Sequence, residues 1–149
     1  MTIALGSDHA GFSLKNVVRK HLEMKGIQCK DYGTFDDART DYVQYGEAVA
    51  LAVSGEVCER GIIVCGSGIG ISIAANKVKG IRAALCADVY SAYVSRRHND
   101  ANVLALGARV TGEGLALMIV DTWLETEHAG GRHQERVNLI RDLESKHMR

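Results

Sequence analysis

The sequence has no excess of positive or negative charge, and it contains few aromatic side chains. The 18 Lys and Arg residues balance 18 Asp and Glu residues, and the chain holds only two phenylalanines and one tryptophan. A chain without net charge offers no broad electrostatic surface to nucleic acid or an anionic membrane, and few rings remain for stacking on unpaired bases. We therefore expect neither nucleic acid nor a membrane as a partner. Proline is also absent, which indicates nothing about function.

Long apolar runs and paired cysteines are missing as well. No segment approaches the roughly 20 apolar residues that cross a bilayer, and the start, MTIALGSDHAGF, lacks the basic residues and apolar run of a signal peptide. We therefore expect a cytoplasmic protein. The absence of any C-x-x-C pair gives no sign of a zinc knuckle or a dithiol redox motif, so we expect no metal and four free thiols. The cysteines are Cys29, Cys58, Cys65 and Cys86.

Short apolar segments alternate with segments of helical periodicity along the chain. Strands are predicted at Thr2–Gly6, Ile27–Tyr32, Gly61–Cys65, Ile81–Cys86 and Val103–Leu106. Helices are predicted at Phe12–Lys25, Tyr42–Ser54, Ile69–Lys77, Val89–His98, Glu113–Thr126 and Arg132–His147. This alternation predicts one doubly wound α/β domain over residues 1–149, with ligands bound at the carboxyl ends of the strands.

Three alternating glycines follow the third predicted strand, in the stretch IIVCGSGIGISIAANK. Their spacing differs from the dinucleotide fingerprint G-x-G-x-x-G, because Ile71 stands at the third glycine position, and no G-K-[ST] closes the loop. A tight turn alone could require Gly66, Gly68 and Gly70. However, successive N–H groups at a helix start also bind negative charge, and we predict an anion site here.

Cys65 stands at the entrance to this loop, at the end of a predicted buried strand. A free cysteine is commonly a small buried hydrophobe, and we assign the other three cysteines to that role. At position 65, by contrast, the helix dipole and backbone donors favour a thiolate. The segment Val64–Ala75 contains no cation, which counts against phosphoryl transfer. A base that removes a carbon-bound proton needs only the thiolate and a pocket for the enediolate oxygen.

Two polar pairs lie beside other predicted strands. Asp8 and His9 follow the first strand. Asp8 could cap the next helix, or it could move protons between hydroxyls. His9 could bind a phosphate or a sugar oxygen. His98 and Asn99 end the fourth helix. They could form a helix cap with a dipole-stabilised histidine, or supply a general acid that opens a sugar ring.

The segment GGRHQERV near the C-terminus carries Arg132 and Arg136 four residues apart, on one face of a helix. Two adjacent guanidinium groups repel each other unless an anion or a carboxylate lies between them. Glu135 could pair with them at the surface. The double glycine indicates that the helix start approaches something closely, and it favours a phosphate site.

Taken together, these residues resemble the type B ribose-5-phosphate isomerases, a family shared with the galactose-6-phosphate isomerase subunits. The resemblance lies in GSDHAGF, Asp41-Tyr42, CGSGIGISIAANK, GIRAA, SRRHNDANVLALG and GGRHQERV, in the expected order over nearly the whole chain. It implies a Rossmann-like five-stranded parallel sheet in a three-layer α/β/α sandwich. It further implies a homodimer or a dimer of dimers with shared active sites, in which helix 132–147 packs on the partner.

The implied reaction interconverts ribose 5-phosphate and ribulose 5-phosphate through a cis-enediolate, without cofactor or metal, in the pentose phosphate pathway. By resemblance, the catalytic residues are the base Cys65, the proton-transfer hydroxyl of Ser67 and the ring-opening His98. Some members of the family use a glutamate at the position of Ile69 instead, so this chain resembles the cysteine branch. The implied substrate-binding residues are Asp8, His9, Tyr42, Gly66, Gly68, Gly70, Asn99, Arg109, Arg132 and Arg136.

Two other functions stay open at this point. A related isomerase of a six-carbon sugar phosphate, such as allose 6-phosphate or galactose 6-phosphate, would differ in pocket length, which the sequence does not give. A non-catalytic sugar-phosphate or nucleotide binding module is the other alternative. It has no use for a thiol base, so the combination of Cys65, Ser67 and His98 favours an enzyme.

Overall fold

A computed structural model of the chain describes residues 1–148, and Arg149, the last residue of the predicted domain, lies outside the described part. The strands are β1 (Thr2–Ser7), β2 (Gln28–Asp31), β3 (Arg60–Cys65), β4 (Ala83–Leu85) and β5 (Val103–Gly107). The helices are α1 (Phe12–Met24), α2 (Tyr42–Ser54), α3 (Ile69–Ala75), α4 (Val89–Arg97), α5 (Glu113–Glu125) and α6 (Arg132–His147). Each predicted element is confirmed, and β4 is markedly shorter than predicted.

The strands form one parallel sheet in the order β2-β1-β3-β5-β4. From β1 the chain moves to one side to form β2 and then returns to the other side to form β3, so the topological switch point lies between β1 and β3. Ser7 is in register with Val64 there, which places the following residues, Asp8 and Cys65, side by side. Ligands of doubly wound sheets bind in the crevice at such a point.

The sheet separates two hydrophobic layers. Helices α1, α4 and α5 cover one face, and α2 and α3 cover the other. Along β5 the side chains alternate, since Leu104 and Leu106 face the first layer while Val103 and Ala105 face the second. This arrangement confirms the three-layer α/β/α sandwich, and it explains the nearly continuous apolar runs of the central strands.

The two edge strands and the last helix are less covered. Although its sequence is apolar, β4 is an edge strand, and Leu85 is 39% exposed. Helix α6 buries Val137, but Leu139 and Leu143 remain 63% and 59% exposed. No helix within residues 1–148 is long and apolar enough to cross a membrane.

Candidate active site

A cleft of about 590 Å³ opens at the carboxyl end of the sheet, next to the switch point. The ends of β1, β3 and β5 and the first turns of α2 and α3 supply its walls. It is lined by Asp8, Tyr42, Cys65, Gly66, Ser67, Ile69, Gly70, Ile73, Arg109 and Val110. Apart from the exposed apolar side chains Ile69, Ile73 and Val110, these are residues that the sequence predicts for the site.

Cys65 ends β3 and is almost fully buried. The backbone N–H of Gly68 donates a hydrogen bond to its Sγ at 3.1 Å. Gly68 has a φ of 78°, and a Cβ there would collide with Leu85 and lie 2.9 Å from the carbonyl carbon of Leu106. Glycine is therefore required at position 68 for the turn that directs this N–H at the thiol.

Ser67 lies between Cys65 and Gly68 in the sequence, and its side chain is exposed to the cleft. Its Oγ accepts a hydrogen bond from the N–H of Ile69 at 3.2 Å, at the start of α3. The hydroxyl hydrogen of Ser67 is therefore left to donate towards a ligand in the cleft.

The ring of Tyr42 forms the opposite wall of the cleft, from the first residue of α2. A Cβ at Gly70 would lie 2.7 Å from the Tyr42 hydroxyl, so the absence of a side chain at position 70 is what admits the ring. Two predicted site residues from distant parts of the sequence are thus in direct contact. Ile69, at the position where the sequence resemblance places a glutamate in other members, also lines the cleft and is 54% exposed.

Asp8 is buried beside Cys65, and its Oδ1 accepts a hydrogen bond from the N–H of Gly11 at 2.9 Å. Asp8 therefore fixes the turn before α1, whose N-cap residue is Gly11. The N-cap hypothesis for Asp8 is therefore wrong, because the N-cap is Gly11 and no side chain caps α1. The second carboxylate oxygen of Asp8 can still accept a bond from a substrate hydroxyl. His9 does not line the cleft, and its Nδ1 lies 3.2 Å from the backbone N of Thr40, just before Asp41 and Tyr42.

Arg109 reaches the cleft from the loop that follows β5. Its backbone N–H donates to the carbonyl of Gly66 at 2.9 Å, and the preceding N–H of Ala108 donates to the carbonyl of Cys65 at 2.9 Å. These bonds join the β5 loop to the glycine loop. The guanidinium lies against Gly66, with Nη1 3.4 Å from the position a Cβ would occupy there. Arg109 thus places a positive charge next to the glycine loop.

The other predicted site residues form a second group, away from this cleft. His98 caps the C-terminus of α4, and Asn99 follows it. The imidazole of His98 stacks on that of His133 in α6, with ring centroids 4.1 Å apart and planes 8° from parallel. Arg132 and Arg136 stand on the same helix turn as His133. None of these residues lines the cleft of its own chain.

The turn before α6 and its two arginines have an arrangement that suits a bound anion. Gly130 and Gly131 have φ values of 70° and 55°, so the chain turns sharply just before Arg132. The alternative, surface pairing with Glu135, is not formed: the ion pairs among residues 1–148 include neither Arg132 nor Arg136. Two adjacent guanidinium groups therefore remain without a carboxylate partner in this part of the chain.

His133 is a residue that the sequence analysis did not select. Partial burial, and then the charges of His98, Arg132 and Arg136, lower the pKa of His133 below its ordinary value of 6.5. The lowered pKa favours the neutral form of the His133 ring at neutral pH. The signal was present in the sequence, since His133 lies directly after Arg132 in GGRHQERV, but the stacking depends on how α6 turns back over α4.

The cleft thus brings together a thiol held by a backbone N–H, an adjacent carboxylate and an exposed hydroxyl, groups that are able to transfer protons. A family model described as Ribose/Galactose Isomerase matches residues 3–140. The ribose-5-phosphate isomerase B of Escherichia coli K12 is 54% identical over 144 residues, which cover 97% of each chain. The D-erythrulose-4-phosphate isomerase of Pectobacterium atrosepticum is 43% identical over 94% of this chain and 93% of its own.

The solved structure of Clostridium thermocellum ribose-5-phosphate isomerase B superposes with a TM-score of 0.97 at 53% identity. The match covers 98% of this chain and 99% of that one. The fold and the site thus define an isomerase of sugar phosphates. This chain belongs to the ribose/galactose isomerase family.

Proposed function

We propose that the protein interconverts ribose 5-phosphate and ribulose 5-phosphate in the pentose phosphate pathway, in the cytoplasm, with Cys65 as the base. The observation that carries the proposal is the hydrogen bond from the Gly68 N–H to Sγ of a cysteine in the switch-point cleft. A backbone N–H aimed at Sγ can hold the sulfur in position for attack on a carbon-bound proton. The similarity to ribose-5-phosphate isomerase B over nearly the whole chain supports a pentose substrate.

In the proposed reaction the open-chain aldose lies with C1 and C2 over Cys65. The thiolate removes the proton from C2, and the electron pair moves to the carbonyl, giving a cis-enediolate whose O1 carries the charge. The thiol then returns the proton to C1, while Ser67 helps to move the hydroxyl proton from O2 to O1. In total, one hydrogen moves from C2 to C1 and one from O2 to O1.

The glycine loop and the arginines have separate parts in this proposal. Free N–H groups of the segment Gly66–Gly70 stabilise the enediolate, and a well-placed donor of this kind contributes on the order of 3 kcal/mol at the transition state. Asp8, Tyr42 and Asn99 contact the sugar hydroxyls. The phosphate is held by His9, Arg109, Arg132 and Arg136, which fixes the carbon chain against the thiol.

We further propose a homodimer in which each site takes residues from both chains. The support is the separation within one chain: Cys65 lies in the cleft, whereas His98 and Arg132 lie in the second group. A partner that covers the cleft would also bury Ile73 and Val110, which are 55% and 65% exposed. Helix α6, with its exposed Leu139, would then pack on the partner.

A six-carbon substrate is the second candidate, because the family model covers galactose isomerases as well. The purified protein, without added metal or nucleotide, is expected to prefer ribose 5-phosphate over allose 6-phosphate and galactose 6-phosphate in kcat/KM. A coupled spectrophotometric assay measures all three. Preference for a hexose phosphate would replace the pentose assignment, and no turnover of any of them would favour a binding module.

The ring-opening role of His98 predicts a selective defect. His98→Asn is expected to lower kcat/KM for ribose 5-phosphate about 100-fold, because general acid catalysis is lost at the furanose oxygen. The same variant should retain its kcat/KM for 4-deoxyribose 5-phosphate, which lacks the O4 needed to close a furanose ring and is therefore open-chain. The ketose formed can be followed by its ultraviolet absorbance.

His21→Asn serves as the control for this measurement. Its imidazole bonds to Asp121 at 2.7 Å and lies outside the cleft and the second group. The control should treat both substrates as the unmodified chain does. Equal losses on both substrates in His98→Asn would assign His98 to a step after ring opening.

A further inference from the structure

The turn that carries His98 and Asn99 is held by a partly buried network that the proposed chemistry does not use. Arg82 stands just before the edge strand β4, and its side chain reaches back across to this turn. Its Nε lies 3.1 Å from the carbonyl oxygen of Asn99 and 3.2 Å from that of Asp100, and its Nη2 donates to the latter at 2.8 Å. The side chain of Arg82 is only 15% exposed.

Asp100 joins this arginine to a second one. Its Oδ2 lies 3.4 Å from Nη2 of Arg82, and its Oδ1 accepts a hydrogen bond from Nη1 of Arg96 at 2.9 Å. Arg96, which is 7% exposed at its side chain, also donates to the carbonyl of Ala101 at 2.6 Å. Three consecutive carbonyls after His98 are thus held by two guanidinium groups with one carboxylate between them.

This network holds a sharp turn of the backbone directly after His98. Asp100 has a φ of 48°, in the left-handed region that few residues other than glycine, asparagine and aspartate adopt. His98 itself caps the end of α4, and helix ends fray when nothing holds them. The position of the His98 imidazole therefore depends on contacts outside its own helix.

We infer that Arg82 is a positioning residue for the ring-opening step: through the carbonyls of Asn99 and Asp100 it fixes the turn that aims His98 at the sugar ring. The inference rests on the proposed function. Proton transfer to a ring oxygen requires the imidazole in place to within a fraction of an ångström, so loosening this turn costs the ring-opening step most. The base Cys65 lies outside the turn, and the open chain meets the turn only through the sugar contact of Asn99, so steps on the open chain should lose less.

The test compares ribose 5-phosphate, which must be opened, with open-chain 4-deoxyribose 5-phosphate. Arg82→Met keeps the apolar stem and removes the guanidinium. It is expected to lower kcat/KM for ribose 5-phosphate relative to that for 4-deoxyribose 5-phosphate about tenfold, with a smaller loss on the open-chain substrate through the sugar contact of Asn99. Asp100→Asn tolerates the left-handed backbone and removes the charge between the arginines, and it should lower the ratio about threefold.

Asn76→Ala is the matched control, because Asn76 also anchors β4 but does not reach the turn. Its side chain bonds to the backbone N–H and carbonyl of Ala83 at 2.8 and 3.0 Å. The control should leave the ratio unchanged even if stability falls. If Arg82→Met does not fold, Asp100→Asn alone decides.

Three outcomes separate the possibilities. A lower ratio in the Arg82 and Asp100 variants with an unchanged ratio in Asn76→Ala supports the positioning role. Equal losses on both substrates, or the same change in the control, would overturn it and leave a structural role. An unmodified protein without activity on ribose 5-phosphate would instead overturn the proposed function itself, which the other two outcomes leave intact.

Discussion

Cys65→Ala is expected to lower kcat for ribose 5-phosphate at least about 10³-fold, while the dissociation constant of the sugar phosphate changes little. The reason is that the proposed base acts only in the chemical step, whereas the phosphate and hydroxyls are bound by other groups. Alanine fills most of the space of the thiol in the buried position at the end of β3. Turnover is measured in the coupled assay, and binding is measured by calorimetry with the inactive variant.

Cys29→Ala is the control for this variant. Burial raises the pKa of the Cys29 thiol in β2 to about 11, so it stays protonated at neutral pH and is not expected to act as a base. Burial likewise raises the pKa of Cys86 to about 11. Both therefore fit the expected role of small buried side chains. Substantial turnover by Cys65→Ala would remove Cys65 as the base, whatever Cys29→Ala does.

The cleft residues Asp8 and Cys65 could be predicted because they follow from local sequence. Apolar runs gave the strands, and the rule that ligands collect at strand ends selected Asp8 and Cys65 before their register was known. The structure places the two side by side. The same local pattern does not determine which strands are at the edges, since β4 is as apolar as a central strand. Its partial exposure follows from the strand order.

The arrangement around His98, by contrast, depends on contacts between residues that are distant in the sequence. His98 and His133 are separated by α5 and by the turn at Gly130 and Gly131, and no periodicity indicates that their rings stack. Arg82 reaches Asp100 because β4 lies next to β5 in the sheet, so its role is visible only once the strand order is known. The sequence resemblance selected His98 without revealing what holds it.

Cys65 lies in the cleft, whereas Arg132 and Arg136 lie in the second group. Mixed dimers therefore test whether each active site is shared between two chains or built within one chain. One chain carries Cys65→Ala, and the other carries Arg132→Ala and Arg136→Ala. Each homodimer should be nearly inactive: the first lacks the base, and the second loses charged hydrogen bonds worth about 1.5–3 kcal/mol each. Heterodimers, purified through two different affinity tags, should regain about half of the unmodified activity per dimer, because one of the two symmetry-related sites is intact.

The reciprocal heterodimer makes the result decisive. When all three substitutions are placed in one chain and the partner is unmodified, sites shared between chains each contain one defect, and the dimer should be inactive. A site built within one chain predicts the opposite for both heterodimers: inactivity for the first and half activity for the second. Within residues 1–148 the arginines at the start of α6 have no ion-pair partner, and the cleft around Cys65 is open, which favours the shared arrangement. Failure to recover any heterodimer would contradict the proposed dimer itself.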